Sequence, residues 1–123
     1  MLNSDSKTIL LDTLQSHWGY NSLRPNQEAP VFSLASGTNT IALMPTGAGK
    51  SLCFQLPALF RGGLCLVISP LIALMEDQIH QLKLNNARAA TLTSSIGRSG
   101  IDRVLENACL GKLDFLYLSP ERL

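Results

Sequence analysis

Apolar residues recur at helical spacing near the start of the chain. They follow Ser and Asp residues that can cap a helix, and the apolar positions are Ile9, Leu10, Leu14 and Trp18. Gly19 and Pro25 interrupt the pattern, and a proline suits the first turn of a new helix. We therefore predict one helix over 6–17 and a second over about 25–36 that ends at Gly37.

Short apolar runs dominate the rest of the chain. Residues typical of turns bound each run, and the runs cover 40–44, 64–69, 89–92 and 115–118. Between them lie three segments long enough for helices, at about 50–60, 71–84 and 100–110. Strands that alternate with helices are typical of parallel strands joined by right-handed crossovers. The sequence thus predicts an α/β fold in which helices cover a parallel sheet, with a flexible Ser- and Gly-rich loop at 93–100.

The composition fits one globular domain. The chain has 123 residues, 46% of them hydrophobic, and its 10 basic and 9 acidic residues give a net charge of +1. A disordered chain is excluded, and any contact with nucleic acid has to be local because the overall charge is nearly balanced. Three cysteines and two histidines fit neither a disulfide scaffold nor a zinc site. No signal peptide or membrane span is recognisable, so we expect a cytoplasmic chain with no membrane partner.

One motif carries recognisable chemistry. The predicted strand over 40–44 runs into a glycine-rich segment that opens a predicted helix and reads Pro45, Thr46, Gly47, Ala48, Gly49, Lys50 and Ser51. A strand, a glycine loop and a helix in this order are typical of a phosphate-binding loop. Lys50 is the predicted catalytic residue, neutralising the β- and γ-phosphates, and the Ser51 hydroxyl is the predicted Mg²⁺ ligand. Met44 stands where the common pattern has glycine, so an ordinary strand-to-helix turn remains the alternative.

Four motifs in this order resemble RecQ-type ATP-dependent DNA helicases. They lie at 17–27, 44–51, 69–78 and 117–123, and the family also begins its phosphate loop with Met-Pro-Thr-Gly. The resemblance implies a RecA-like P-loop fold, with 1–123 forming the N-terminal part of the first ATP-binding motor domain. It also implies ATP-driven three-prime to five-prime DNA unwinding, a hydrolase and isomerase activity, and a place in DNA repair and recombination.

The segment before the phosphate loop recognises adenine in that family. By resemblance, Tyr20 would stack on the base, Gln27 would hydrogen-bond its edge and Arg24 would support the pocket. An amide suits adenine because it donates and accepts at once. The family usually has Phe where Trp18 and Leu23 stand, which predicts shifted packing. The alternative for Gln27 is a solvated glutamine on a helix.

Two further segments correspond to the family's contacts with single-stranded or partly unwound DNA. The first comprises Ser69, Pro70 and Leu71, and the second comprises Ser119, Pro120 and Arg122. Ser69–Leu71 joins a predicted strand to a predicted helix, where free backbone N–H groups can bind a phosphate. The alternative is an ordinary helix cap with a surface arginine.

The Asp-Glu-Ala-His sequence that the family uses for hydrolysis does not occur in the chain. Glu76-Asp77 is the only adjacent acidic pair, and it lies within a predicted helix whose apolar face comprises Leu71, Leu74, Met75, Ile79 and Leu82. We therefore expect an incomplete domain, without the second motor, zinc or winged-helix regions, that binds ATP and DNA without turnover.

Three alternatives are a non-catalytic nucleotide- and DNA-binding module, a P-loop small-molecule kinase and a DEAD-box RNA helicase. The kinase is disfavoured because Arg24-Pro25-x-Gln27 is present and no lid segment is recognisable. The segment Met75-x-Asp77-Gln78 favours the RecQ type over the RNA helicase.

Overall fold

A computed structural model describes residues 2–44, 49–92 and 97–122 of the chain. The chain divides into two compact units, Met1–Gly62 and Gly63–Leu123, which we call the first and second units. Each unit has its own core, and each carries one of the two candidate sites.

The first unit contains three helices: α1 (Ser4–Trp18), α2 (Pro25–Ala35) and α3 (Lys50–Arg61). The N-cap of α1 is Asn3, whose Oδ1 accepts the Ser6 N–H at 2.8 Å. The helices bury an apolar cluster comprising Leu10, Leu14, Leu23, Val31, Ala35, Leu52, Cys53 and Leu56. The two helices predicted before residue 37 and the helix predicted after the phosphate loop are confirmed.

The strand predicted over 40–44 is wrong. The structure assigns no strand there, and the side chains of Ile41 and Leu43 are 93% and 94% exposed. An apolar run forms a strand only where a neighbouring strand completes its hydrogen-bond ladder. Within 2–44, 49–92 and 97–122, the only paired strands belong to the sheet of the second unit.

The second unit alternates strands and helices: β1 (Cys65–Ile68), α4 (Ile72–Leu84), β2 (Ala89–Leu92), α5 (Gly97–Cys109) and β3 (Phe115–Leu118). A short 3-10 helix, Pro120–Arg122, follows. The strands form a parallel sheet in the order β1-β3-β2, with Tyr117 of β3 opposite Val67 and Thr91. The helix-covered parallel sheet predicted from the sequence is confirmed.

The two helices of the second unit lie on opposite faces of the sheet. Tyr117 faces α4, whose buried row is Met75, Ile79 and Leu82. The neighbouring β3 residues Leu116 and Leu118 point the other way and pack with Leu92 and with Ile101 and Val104 of α5. The buried row of α4 begins at Met75, so the predicted packing of Leu71 and Leu74 is wrong; they are 59% and 47% exposed.

Helix α5 begins earlier than the sequence suggests. Gly97–Gly100, predicted as part of a flexible loop, forms its first turn, while Thr93–Ile96 lies outside the described residues. The Ser and Gly content of 97–100 predicts a loop, but the segment begins a helix that packs against the sheet through Ile101 and Val104. Across the described ranges, no helix is long and apolar enough to span a membrane.

A polar clamp joins the amino ends of β2 and β3. The guanidinium of Arg88 donates to both carboxylate oxygens of Asp114, at 3.2 and 2.9 Å, and to the Gly111 carbonyl at 3.2 Å. The hydrogen bond and charge of Asp114 raise the pKa of Arg88 above its ordinary value. This clamp lies at the end of the sheet opposite to Ser69 and Ser119.

Candidate nucleotide site and candidate DNA edge

The candidate nucleotide site is built at the start of α3. Gly49 is the N-cap of this helix and has a left-handed backbone, with φ of 76°. Lys50 is the first helical residue and is exposed, and Ser51 follows in the same turn. A twelve-residue helix whose N-terminal end carries the positive end of its dipole and begins with a lysine offers positive charge, so these residues fit a phosphate group.

Gln27 connects the start of α2 to the start of α3. Its Oε1 accepts the Arg24 N–H at 2.9 Å, which closes the first turn of α2, and its Nε2 donates to the Gly49 carbonyl at 3.2 Å. The side chain is only 5% exposed, so the interpretation of Gln27 as a solvated helix glutamine is wrong. An amide has two donor hydrogens and two acceptor lone pairs, so each half keeps one further bonding position.

Glycine at position 49 suits both the left-handed backbone and the close approach of the Gln27 side chain. A Cβ at this position would collide with the Gln27 Nε2, and it would lie 3.8 Å from Nη1 of Arg24. The structure therefore brings Arg24 and Gln27, at the start of α2, next to Gly49, which lies 22 residues after Gln27 in the sequence. The sequence alone identified all three residues but gave no sign that they touch.

Other predicted nucleotide contacts remain predictions. Tyr20 lies between α1 and α2 and is 56% exposed, so its ring has a surface on which a base could stack. Pro45, Thr46, Gly47 and Ala48 lie outside the described residues. Ser51 stays the predicted Mg²⁺ ligand; among the positions that the structure describes, no group of three or more His, Cys, Asp or Glu residues could hold a metal ion.

Cys53 is a neighbour of this site that the sequence placed only in the core. Its Sγ lies 3.6 Å from both the Gly49 carbonyl oxygen and the Sδ of Met44. Burial raises the pKa of the Cys53 thiol above its ordinary value, because desolvation disfavours the thiolate. The thiol therefore adds no negative charge beside the predicted phosphate position at neutral pH.

The candidate DNA edge lies at the carboxyl ends of β1 and β3. Ile68 and Leu118 are register partners, so Ser69 and Ser119 leave the sheet side by side. The Ser69 N–H donates to the Leu118 carbonyl at 3.1 Å, which extends the ladder by one bond. The two segments predicted to contact DNA are thus brought to one edge of the sheet, which we call the carboxyl edge.

The predicted phosphate donors need one correction. The Leu71 N–H donates to Ser69 Oγ at 3.2 Å, so it is already engaged. The first main-chain bond of α4 runs from the Met75 N–H to the Leu71 carbonyl, which leaves the N–H groups of 72–74 ahead of the helical ladder. Ser119 is buried and Pro120 is exposed, while the side chain of Arg122 lies outside the description.

Comparison with protein families matches residues 24–123 to the DEAD/DEAH box helicase family. The chain therefore belongs to the DEAD/DEAH box helicases. It is also similar to ATP-dependent DNA helicases named RecQ and RecS.

Three relatives show this similarity. The chain is 46% identical over 117 residues to the probable ATP-dependent DNA helicase RecS of Bacillus subtilis, covering 94% of the chain and 23% of the relative. It is 45% identical over 114 residues to the ATP-dependent DNA helicase RecQ of Synechocystis, covering 93% and 24%. It is 44% identical over 117 residues to RecQ of Haemophilus influenzae, covering 95% and 19%. The chain thus spans about a quarter of these relatives' length, or less.

Proposed function

We propose that this chain forms the ATP-binding and single-stranded-DNA-contacting part of a RecQ-like DNA helicase, whose full-length activity is ATP-driven DNA unwinding. The observation that carries the proposal is the contact of Gln27 with Gly49. It joins the predicted adenine segment to the start of the predicted phosphate-binding helix. A turn that merely connects a strand to a helix has no need of this buried amide.

ATP would be held by residues of the first unit. Lys50 would neutralise the distal phosphates, Ser51 would offer its hydroxyl to Mg²⁺, and the remaining bonding positions of Gln27 would face the adenine edge. Bound Mg²⁺ would supply charge neutralisation between the phosphates. Tyr20 would stack on the base with its exposed ring.

Single-stranded DNA would lie along the carboxyl edge of the second unit. The N–H groups of 72–74 and the Ser69 hydroxyl would hold phosphates, and the segment 119–122 would hold the next part of the strand. Such contacts are made with the phosphates of the DNA and do not depend on base sequence, which suits an enzyme that moves along DNA.

We expect the 123-residue chain to bind ATP without turning it over. Hydrolysis needs a carboxylate for Mg²⁺ and a group that positions the attacking water, and the sequence has no Asp-Glu-Ala-His. Phosphate release with and without single-stranded DNA tests this. DNA-stimulated release that disappears in Lys50→Ala would contradict it.

Displacement of a fluorescent ATP analogue by ATP and by GTP tests the adenine assignment. We expect ATP to compete better, because guanine does not present the donor and acceptor pattern that one amide matches in adenine. Equal displacement by both nucleotides would rule out the role of Gln27.

Lys50→Ala tests the phosphate assignment in the same assay. We expect the affinity for ATP to fall by more than about tenfold and that for AMP to change little, because the lysine charge acts on the distal phosphates. An equal loss for AMP would indicate a folding defect instead.

A further inference from the structure

A partly buried hydrogen bond links the central strand of the second unit to helix α4. The Tyr117 hydroxyl donates to the Oε1 of Gln78 at 2.8 Å. Tyr117 is 1% exposed and belongs to β3, which pairs with both other strands. Gln78 is half-buried in the second turn of α4. The nucleotide and DNA assignments made so far leave both side chains without a role.

The bond joins the two elements that lead to the carboxyl edge. Helix α4 begins directly after Ser69–Leu71, and β3 leads directly into Ser119. A second bond, from the Ser69 N–H to the Leu118 carbonyl of the main chain, joins the same two stretches of chain at the carboxyl edge. Gln78 lies six residues after Ile72, so its hydrogen bond to Tyr117 lies roughly 9 Å along the helix axis from the start of α4.

The bond of Ser69 fixes the chain just before α4, and the bond of Gln78 fixes a position within the helix. The buried apolar side chains of α4 are Met75, Ile79 and Leu82, and apolar packing tolerates small rotations. A hydrogen bond between two defined atoms specifies one arrangement more closely than apolar packing does. The direction of the N–H groups of 72–74 follows from that arrangement, and a hydrogen bond weakens steeply when its angle is poor.

We propose that Gln78 and Tyr117 are positioning residues for single-stranded DNA: their hydrogen bond aims the first turn of α4 at the phosphate that the carboxyl edge receives. This inference rests on the proposed DNA contact of that edge. These two residues do not contact DNA themselves but affect the affinity of the carboxyl edge for single-stranded DNA.

The test measures binding of a labelled oligothymidylate to the 123-residue chain at several salt concentrations. The variants are Tyr117→Phe, Gln78→Leu and the double variant, each of which removes the same bond. We expect each single variant to bind about three- to tenfold more weakly, and the double variant to bind no more weakly than either, because the loss is shared. The slope of affinity against salt should also become shallower, since fewer phosphates are contacted.

Arg88→Gln is the matched control. It removes polar bonds from the same sheet at the opposite end of the strands, so it reports what a general loosening of the second unit does to binding. Unfolding by urea on every variant shows whether the chain is folded during the titration. Gln78→Leu changes a half-buried helical position and keeps the test valid if Tyr117→Phe fails to fold.

The outcomes separate the two proposals. If the unaltered chain binds no oligothymidylate, the proposed DNA edge fails and this inference falls with it. If the unaltered chain binds but the three variants bind equally well, the edge stands and the positioning role is refuted. The positioning role is also refuted if the losses in Tyr117→Phe and Gln78→Leu add up in the double variant, because the two losses are then independent. It is refuted as well if Arg88→Gln lowers DNA affinity equally at equal stability, because the loss is then a general structural effect.

Discussion

The first unit positions its candidate site with a side chain, whereas the second unit positions its candidate edge with the main chain. Gln27 reaches from α2 to the Gly49 carbonyl, and the structure assigns no strand within 2–44 and 49–62 of this unit. Ser69 and Ser119 are instead placed by the register of β1 and β3. One amide decides the geometry in the first case, and a ladder shared by many residues decides it in the second.

This difference predicts where each site is sensitive. A site that depends on one amide should fail when that amide is displaced or removed. The side-by-side placement of Ser69 and Ser119 depends on strand register, so it should survive a change of the Ser69 side chain and should fail when the Ser69 main-chain N–H is lost. The following substitutions test both halves of the comparison, from the largest expected effect to the smallest.

Gly49→Ala should have the largest effect. The new Cβ would displace the Gln27 Nε2 from its hydrogen bond to the Gly49 carbonyl, which costs roughly 1–3 kcal/mol, and a tenfold loss of affinity corresponds to about 1.4 kcal/mol. We therefore expect ATP-analogue affinity to fall by about tenfold or more in a fluorescence titration.

Gly19→Ala controls for backbone strain in the same unit. Gly19 has the same φ of 76°, and a Cβ there would meet nothing within 4 Å. Both variants lose roughly 1–2 kcal/mol of stability from the left-handed backbone, but only Gly49→Ala should lose nucleotide. Equal nucleotide affinity in the two variants would show that the contact with Gln27 is unimportant.

Ser69→Pro and Ser69→Ala separate main-chain from side-chain effects at the carboxyl edge. Proline removes the N–H that bonds the Leu118 carbonyl, so we expect a loss of about 1–3 kcal/mol in urea unfolding. Alanine keeps that bond and loses only the exposed contact with the Leu71 N–H, so we expect a loss of roughly 0.5 kcal/mol. Equal losses would mean that the side chain holds the edge.

Alkaline pH should produce the smallest effect, through one thiol in each unit. Burial raises the pKa of Cys53 and of Cys65 above their ordinary value of 9.0. Above pH 9.0 the unfolded chain loses these protons before the folded chain does, so stability is complete below that pH and declines as the pH rises towards the folded pKa. Urea unfolding between about pH 8 and 10 measures this.

Matched variants identify the thiols as the cause. Cys53→Ala and Cys65→Ala should each flatten the decline, whereas Cys109→Ala, at an exposed position, should leave it unchanged. A decline of the same size in all three variants would assign it to other groups.

Local pattern predicted most of the second unit. The runs at 89–92 and 115–118 match β2 and β3, because each is short, apolar and bounded by turn residues. The same reasoning failed at 40–44, because pairing depends on another strand and is no property of the run itself. The predicted apolar face of α4 included Leu71 and Leu74 because they fit the helical spacing, but the buried part of that face starts at Met75.

The candidate sites were predictable as residues but not as contacts. The order of glycine, lysine and serine identifies the start of α3 from the sequence alone. The bond from Gln27 to Gly49 spans 22 residues, and that from Tyr117 to Gln78 spans 39. A helical pattern assigns each residue to a face but says nothing about which distant atom it meets.

The most direct test of the account is the ATP-analogue affinity of Gln27→Ala compared with that of Ser69→Ala. Gln27→Ala leaves the Arg24 N–H and the Gly49 carbonyl without their partner, so we predict a loss of about tenfold. Ser69→Ala alters only the second unit and should leave nucleotide binding unchanged. Unaltered ATP-analogue affinity in a folded Gln27→Ala chain would contradict the claim that this buried amide builds the nucleotide site.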